Sequence, residues 1–264
     1  MSTRLAPEIT DAIIDHLHSD YKTLKTCSIV CGSWFLAARY HLFIRKTAIT
    51  ITPRNCHAFL DILDSPYSTI RPYIRYLVID GGMADHQFSH ALSLLPHLHA
   101  VERLGLESMV WDDIGAAAKV ALLSHFDRVT KLDLRVFECT SASHLVDILC
   151  SFPFLEELTI DRFKSRIGGG TLAAPAACGL TLSHLRRLHL TTYEDIHNNT
   201  FLPWLLDIQP PLPLSDIRVG WVFDTNQHSG SIADFLKGLG PRLKYLKFFA
   251  SSARMFLITI SFPS

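Results

Sequence analysis

A short apolar pattern recurs along the chain at a nearly constant interval. The pattern has apolar residues at its first, fourth and sixth positions, as in IRYLVI from Ile74 and VTKLDL from Val129. Eight copies fill 23 of their 24 apolar positions, where the 48% apolar content of the chain would fill about half by chance. The pattern predicts eight short strands. Their central apolar residues, 26 to 30 residues apart, are Ile49, Leu77, Leu104, Leu132, Leu158, Leu188, Ile217 and Leu246.

Helical periodicity fills most of the intervals between these strands. One strand and one helix per unit of about 28 residues predicts units that stack on their neighbours, with parallel strands and outer helices. The predicted fold class is therefore α/β. The predicted helices cover residues 88–95, 114–126, 142–150, 201–208 and 232–239.

Two segments depart from this regularity. Residues 162–183, rich in glycine, alanine and proline, show no helical period and predict a mobile loop. Residues 255–264 are apolar and stop before another unit could be completed. They are expected either to form a makeshift strand or to mark the point at which a longer array is truncated.

The first 45 residues have a different pattern, which predicts three helices. Pro7 suits the first turn of a helix, and an apolar stripe follows at Ile9, Ile13, Ile14 and Leu17. After a break at residues 18–20, a second helix is expected over 21–30, with its leucine and first cysteine turned inward. A third helix is expected from residue 33 to about residue 43.

Three helices of this size cannot bury all of their apolar surface against one another. We expect Leu5, Ile9, Ile13 and Trp34 to leave an exposed apolar patch, which is the usual mark of a partner site. The alternative is that the three helices form the first cap of the stacked units, because such arrays need capped ends.

Three motifs in this segment resemble an F-box, in the form common among fungal F-box proteins. They are LAPEI from Leu5, CSIVCGSW from Cys27 and HLF from His41. The resemblance covers about forty residues; Ala6 stands where the family usually has proline or another residue. It implies that the helices bind the Skp-type adaptor of an SCF ubiquitin ligase, and through it a cullin. The residues that would make or support this contact are Leu5, Pro7, Ile9, Ile13, Leu17, Leu24, Val30 and Trp34.

The strand–helix units resemble irregular leucine-rich repeats, such as those that follow the F-box in many fungal proteins. The resemblance implies an F-box over residues 1–45 and a leucine-rich-repeat-like solenoid over residues 46–264. The units differ from the family pattern at one position throughout. Three residues after the motif, where the family has asparagine or cysteine, every unit has another residue. No asparagine ladder can form, which leaves the curvature open. The residues at that position are Gly82, Met109, Phe137, Phe163, Tyr193 and Val222.

Alternation within each strand sends one set of side chains away from the core. This outward set carries both charges and has its aromatic residues mainly at the ends, which suits a protein client better than a polyanion or a lipid. The alternative is a face that is merely solvated. The candidate client residues are Arg103, Lys131, Arg135, Glu157, Arg187, His189, Arg218 and Tyr245, and loop residues Met109, Trp111, Tyr193, Trp221 and Phe223 are further candidates.

The composition argues against nucleic-acid and membrane partners and indicates a cellular compartment. Lysine plus arginine equals aspartate plus glutamate, 25 of each, so no net charge attracts nucleic acid or an anionic membrane. The longest charge-free stretch, residues 167–185, contains glycines and a proline that do not suit a membrane helix. Six cysteines without a secretory signal indicate reduced thiols in the cytoplasm or nucleus.

No motif in the sequence indicates catalysis, a metal or a cofactor. His16 with His18, and His97 with His99, are two residues apart, a spacing that on a helix would point the rings in different directions. The triple glycine at residues 168–170 lacks the lysine of a phosphate loop, and no GxSxG elbow occurs. We therefore expect a protein that is not an enzyme and that has neither metal nor cofactor.

These observations lead to one functional hypothesis and two rivals. The chain is expected to be the substrate-recognition adaptor of an SCF-type ubiquitin ligase, with the adaptor subunit on the F-box and a client on the repeats. One rival is an F-box scaffold without a role in ubiquitination. The other is an enzyme on an α/β scaffold, which would need a deep pocket with strongly perturbed ionisable groups.

Overall fold

The computed structural model describes residues 6–44, 48–66, 68–82, 85–165, 182–191, 201–221, 229–250 and 257–261. Three helices come first: α1 (Pro7–His16), α2 (Tyr21–Val30) and α3 (Gly32–Ile44). Strands and helices then alternate along most of the chain. They are β1 (Ile49–Ile51), α4 (Cys56–Asp64), β2 (Tyr76–Asp80), α5 (His86–Ser93), β3 (Arg103–Val110), α6 (Ala116–Ser124), β4 (Lys131–Cys139), α7 (Ala142–Cys150), β5 (Glu157–Asp161), β6 (Lys164–Ser165), β7 (Arg187–Thr191), α8 (Phe201–Asp207), β8 (Asp216–Trp221), α9 (Ser229–Leu239), β9 (Tyr245–Ala250) and β10 (Leu257–Ser261).

The three helices begin and end where the local residues dictate. Pro7 occupies the first turn of α1, where its missing N–H costs no hydrogen bond. Asp20 caps α2, since its carboxylate accepts the Thr23 backbone N–H at 3.0 Å and the Thr23 hydroxyl at 2.6 Å. Their buried core is small and consists of Ile14, Leu24, Cys27 and Ala38.

The strands form one sheet in which chain order and spatial order agree. Eight strands, β1, β2, β3, β4, β5, β7, β8 and β9, pair in parallel with their neighbours. The short β6 pairs in parallel with β4, and β10 closes the series antiparallel to β9. The protein is therefore an α/β protein, as predicted.

The register places the central apolar residue of every repeat in one row across the sheet. Ile49 lies opposite Leu77, Leu77 opposite Leu104, and the row continues without a slip to Leu246. The sixth position of each copy forms a second row in the same way. Leu77, Leu104, Leu132, Leu158, Leu188 and Ile217 have no exposed surface. The sequence pattern thus predicted both the strands and their alignment.

The start of each strand is tied to the previous unit by the backbone alone. The Glu102 carbonyl accepts the N–H groups of Thr130 and Lys131 at 2.9 and 3.0 Å. The same pair of bonds recurs at every parallel step from Arg75 to Ser215. Because these donors are backbone groups, the repeats hold their stacking here whatever side chain stands at the position.

A third apolar row lies where the leucine-rich-repeat family places its asparagine or cysteine. Met109, Phe137 and Phe163 are buried there, and the Phe137 ring lies 6.3 Å from that of Phe163. Each follows a residue with positive φ: Ser108 and Val136 at 49°, and Arg162 at 54°. The left-handed residue lets apolar side chains three positions apart, such as Leu134 and Phe137, both face the core. Where the family has an asparagine ladder, this protein therefore has a row of buried apolar side chains.

The predicted helices are α5 to α9, with small shifts at their ends. The helix α4 was not predicted, although Cys56, Phe59, Leu60 and Leu63 follow helical spacing and are buried. Of the predicted loop at 162–183, β6 is a short strand and residues 166–181 lie outside the described residues. Of the apolar end, residues 257–261 form β10, as expected of a makeshift strand.

Candidate functional site

The surface of the three N-terminal helices is unusually apolar. The predicted stripe of α1 divides: Ile14 is fully buried, whereas Ile9 and Ile13 are 51% and 38% exposed. Val30 on α2 and Leu36 on α3 are more than half exposed as well. We call this set the helical apolar surface, and it consists of Ile9, Ile13, Ile29, Val30, Leu36 and Tyr40.

The residues named from the F-box resemblance fall into three groups. Pro7, Ile9, Ile13 and Val30 are exposed, so they are free to contact another molecule. Leu17 and Trp34 are partly buried against the small core, and Leu24 is fully buried within it. Leu5 lies outside the described residues.

The helices have their own core and contact the sheet unit where α3 meets the segment around Thr69 and Tyr73. Their buried residues form a cluster that is separate from the large core, which begins at Ile51. Arg39 links the two, because its guanidinium donates to the Thr69 hydroxyl at 2.6 Å and lies 3.8 Å from the centre of the Phe35 ring. Nearby, an open cleft of about 310 Å³ is lined by Asp11, Asp15, Leu36, Ala37, Tyr40 and Tyr73.

The side of the sheet that faces away from the large core carries three rows of mostly polar side chains, which we call the polar face. Every candidate client residue lies on it. Arg103, Lys131, Glu157, Arg187 and Tyr245 share the first row, which starts at Tyr76. The second row holds His189 and Arg218, and the third holds Arg135.

On the β2–β4 part of the polar face, Tyr76, Arg103 and Asp133 bind one another. Asp133 is buried, and its carboxylate accepts a hydrogen bond from Arg103 at 2.6 Å and one from the Tyr76 hydroxyl at 3.3 Å. The Arg103 guanidinium also lies 4.5 Å from the centre of the Tyr76 ring. Burial raises the pKa of Tyr76, and the negative charge of Asp133 raises it further. These groups satisfy one another.

The centre of the polar face is different, because one carboxylate serves several donors. Glu157 lies 3.5 Å from the Lys131 amine and 3.2 Å from the Arg187 guanidinium, both measured to the same oxygen, Oε2. His189 Nδ1 lies 3.8 Å from the other oxygen, and its buried Nε2 has no hydrogen-bond partner among the residues that the structure describes. Burial lowers the pKa of His189, and the nearby Arg218 lowers it further.

Two loop residues that the sequence suggested as hot spots belong to the core. Met109 is fully buried and Trp111 is 2% exposed. The left-handed Ser108 turns Met109 inward, and the Trp111 ring packs 5.9 Å from Phe137. Tyr193 and Phe223 lie outside the described residues, as does the side chain of Trp221.

Two of the buried cysteines, Cys56 and Cys139, are not suited to nucleophilic chemistry. Burial raises the pKa of Cys56 to about 11 and that of Cys139 to about 12, so both thiols stay protonated at neutral pH. Cys27 and Cys31 are free as expected. Cys150, however, takes part in a disulfide bond, so the prediction of reduced thiols throughout is wrong at this position.

His97 and His99 do not point in different directions, as they would on a helix. The two residues lie in a non-helical connection, and their rings stack 5.6 Å apart instead of diverging. His125 adds a third ring, 4.1 Å from His97. Within the described ranges, no group of three or more histidine, cysteine, aspartate or glutamate side chains has a geometry that could hold a metal ion.

Among the residues that the structure describes, no helix is both long and apolar enough to cross a membrane.

No family model matches the chain, and no curated protein matches it significantly.

Proposed function

We propose that this chain is a non-enzymatic F-box adaptor, which binds a Skp-type subunit of an SCF ubiquitin ligase through α1–α3 and a client protein through the repeats. The observation that carries the proposal is the helical apolar surface. It lies on the three helices that hold the LAPEI, CSIVCGSW and HLF motifs.

The energetics of that surface favour a partner. Exposed apolar area costs about 25 cal/mol per Å² relative to burial, and Ile9, Ile29, Val30 and Leu36 are each more than half exposed. Several large apolar side chains left exposed on three short helices are typical of an interaction site. A separate small core allows the helices to keep their shape while they present this surface.

The strand–helix units support the second half of the proposal. Parallel strands in chain order, one row of buried leucines and a helix behind most strands fit a leucine-rich-repeat-like solenoid. Such an array leaves one face of the sheet free along its length. The polar face, with its mixed charges, is therefore the surface that we assign to the client.

Such an adaptor acts by bringing its client close to the enzyme that carries ubiquitin. A client held on the polar face would be kept near a ubiquitin-loaded partner on the cullin, and transfer becomes effectively intramolecular. The adaptor itself needs no nucleophile, general base or cofactor. The protonated thiols of Cys56 and Cys139 are compatible with this role.

Co-purification with a Skp-type adaptor tests the proposal. We expect the wild-type chain to form a stoichiometric complex, and the double variant Ile9→Asp/Val30→Asp to lose it, because both side chains would carry a charge into an apolar contact. Ile62→Asp is the matched control, since Ile62 on α4 is as exposed as Ile9 but lies outside the three helices. Equal recovery of adaptor with the double variant and the wild type would refute the proposal.

A further inference from the structure

The centre of the polar face has more hydrogen-bond donors than its own acceptors can use. Lys131 on β4 and Arg187 on β7 flank Glu157 on β5, and both approach the same carboxylate oxygen. A lysine and an arginine offer about eight N–H donors, whereas one carboxylate offers about four lone-pair sites. The remaining donors reach solvent, because the two cationic side chains are 40% and 38% exposed.

The charge balance at this point is also uneven. Elsewhere on the face three arginines each pair with one carboxylate: Arg103 with Asp133, Arg135 with Glu107, and Arg218 with Asp216. Around Glu157, two cations share one carboxylate, which leaves one positive charge. His189 adds a buried ring nitrogen without a partner next to this excess.

The arrangement disfavours a basic ligand because the exposed groups are themselves cations. The Glu157 side chain is only 15% exposed and is covered by Lys131, Arg187 and His189. An incoming lysine or arginine would meet the two exposed cations before it reached the carboxylate. An incoming anion would meet the same two cations first, and favourably.

The spacing suits an anion on an extended segment. Neighbouring strands are about 4.8 Å apart, so the backbones of β4 and β7 lie about 10 Å from each other across β5. Two long cationic side chains over that distance can converge on one anionic group. Exposed Tyr245, farther along the same row, offers an apolar contact for the flanking part of the segment.

We propose that the centre of the polar face, around Lys131, Glu157 and Arg187, binds an acidic segment of a partner protein, with an anionic group of that segment placed between Lys131 and Arg187. The inference deepens the proposed function, on which it rests for the identification of this face as the client surface. The recognised chemistry is a negative group on a peptide, whether carboxylate or phosphate.

Fluorescence anisotropy with the full chain and three labelled peptides tests this inference. The peptides share one glycine–serine background and carry glutamate, phosphoserine or lysine at alternate positions. We expect the anionic peptides to bind about tenfold more tightly than the lysine peptide, and their binding to weaken as salt rises. Tighter binding of the phosphoserine peptide would assign the anion as phosphate, and equal or tighter binding of the glutamate peptide as carboxylate.

Substitutions locate the effect. Arg187→Gln should weaken binding of the anionic peptide about threefold to fivefold, and Lys131→Gln/Arg187→Gln about tenfold, as expected for partly exposed charge pairs. Lys237→Gln, exposed on α9, removes the same charge elsewhere and should leave binding unchanged. Circular dichroism establishes that each variant is folded, and Arg187→Lys should restore most of the affinity.

Equal binding of acidic and basic peptides, or unchanged binding in the folded double variant, would overturn the inference. The outcome is separable from that of the adaptor experiment, because neither Lys131 nor Arg187 belongs to the helical apolar surface. A chain that binds acidic peptide but no Skp-type adaptor would retain this inference and lose the F-box proposal.

Discussion

At the scale of single residues, three positive-φ positions set how the repeats turn. Ser108, Val136 and Arg162 stand in equivalent places after β-strand residues that pair in register. Left-handed backbone is uncommon for any side chain and is unfavourable for a β-branched one. Val136 therefore stores strain in exchange for the burial of Phe137.

This strain makes Val136→Asn a stabilising substitution. Asparagine tolerates the left-handed region, so we expect the free energy of unfolding to rise by about 0.5–1 kcal/mol. Val110→Asn is the control, because Val110 has an ordinary φ of −94° and should only lose apolar contact. Urea denaturation of both variants measures the difference. Equal destabilisation by the two substitutions would show that position 136 is unstrained.

His189 makes stability depend on pH. Burial lowers its pKa in the folded protein below the ordinary value of 6.5, so the unfolded chain takes up a proton at a higher pH than the folded one. The stability that comes from neutral His189 is present above pH 6.5 and is lost as the pH falls through the folded pKa. His189→Gln should flatten the fall in unfolding free energy between pH 7.5 and pH 5. An unchanged pH profile in the variant would contradict this assignment.

At the scale of secondary-structure elements, the sheet could be predicted because one short pattern governs all of it. The rows through Leu104, Leu132 and Leu158 follow from a period that the sequence repeats eight times. The fate of Met109 and Trp111 could not be predicted in this way. The burial of Met109 depends on the φ of Ser108, and that of Trp111 on its packing near Phe137, neither of which an alternation rule encodes.

Two further features, the helix α4 and the pairing on the polar face, were also not predicted from the sequence. The helix α4 was not predicted, although Cys56, Phe59, Leu60 and Leu63 recur at helical spacing in the sequence. The polar face could be predicted as a list of residues, but not as a set of pairs. The sharing of Glu157 by Lys131 and Arg187 depends on side-chain conformation, which sequence spacing does not determine.

The row of buried leucines predicts a sharp contrast between two leucine-to-alanine substitutions. Leu132→Ala should lower the free energy of unfolding by about 2–5 kcal/mol, because Leu132 has no exposed surface and the cavity is surrounded by packed neighbours. Leu94→Ala, at a position that is 56% exposed, should change it by less than about 0.5 kcal/mol. Thermal or urea denaturation distinguishes them. Similar losses at both sites would mean that the row is not the core of the array.

At the scale of the whole molecule, the described residues form two cores of unequal size. The larger runs from Ile51 to Leu246 and is covered by its own helices. The smaller, around Ile14 and Leu24, leaves the helical apolar surface uncovered on its outer side. The sequence predicted this exposure at Ile9 and Ile13, since three short helices cannot bury all of their apolar residues among themselves.

Amide hydrogen exchange with and without a Skp-type adaptor tests the central claim most directly, because it reports where a partner lies along the entire chain. The account predicts that the adaptor slows exchange within Pro7–Ile44 and leaves the strands of the polar face unchanged. Unchanged exchange in the three helices at saturating adaptor, or protection confined to the sheet, would contradict it.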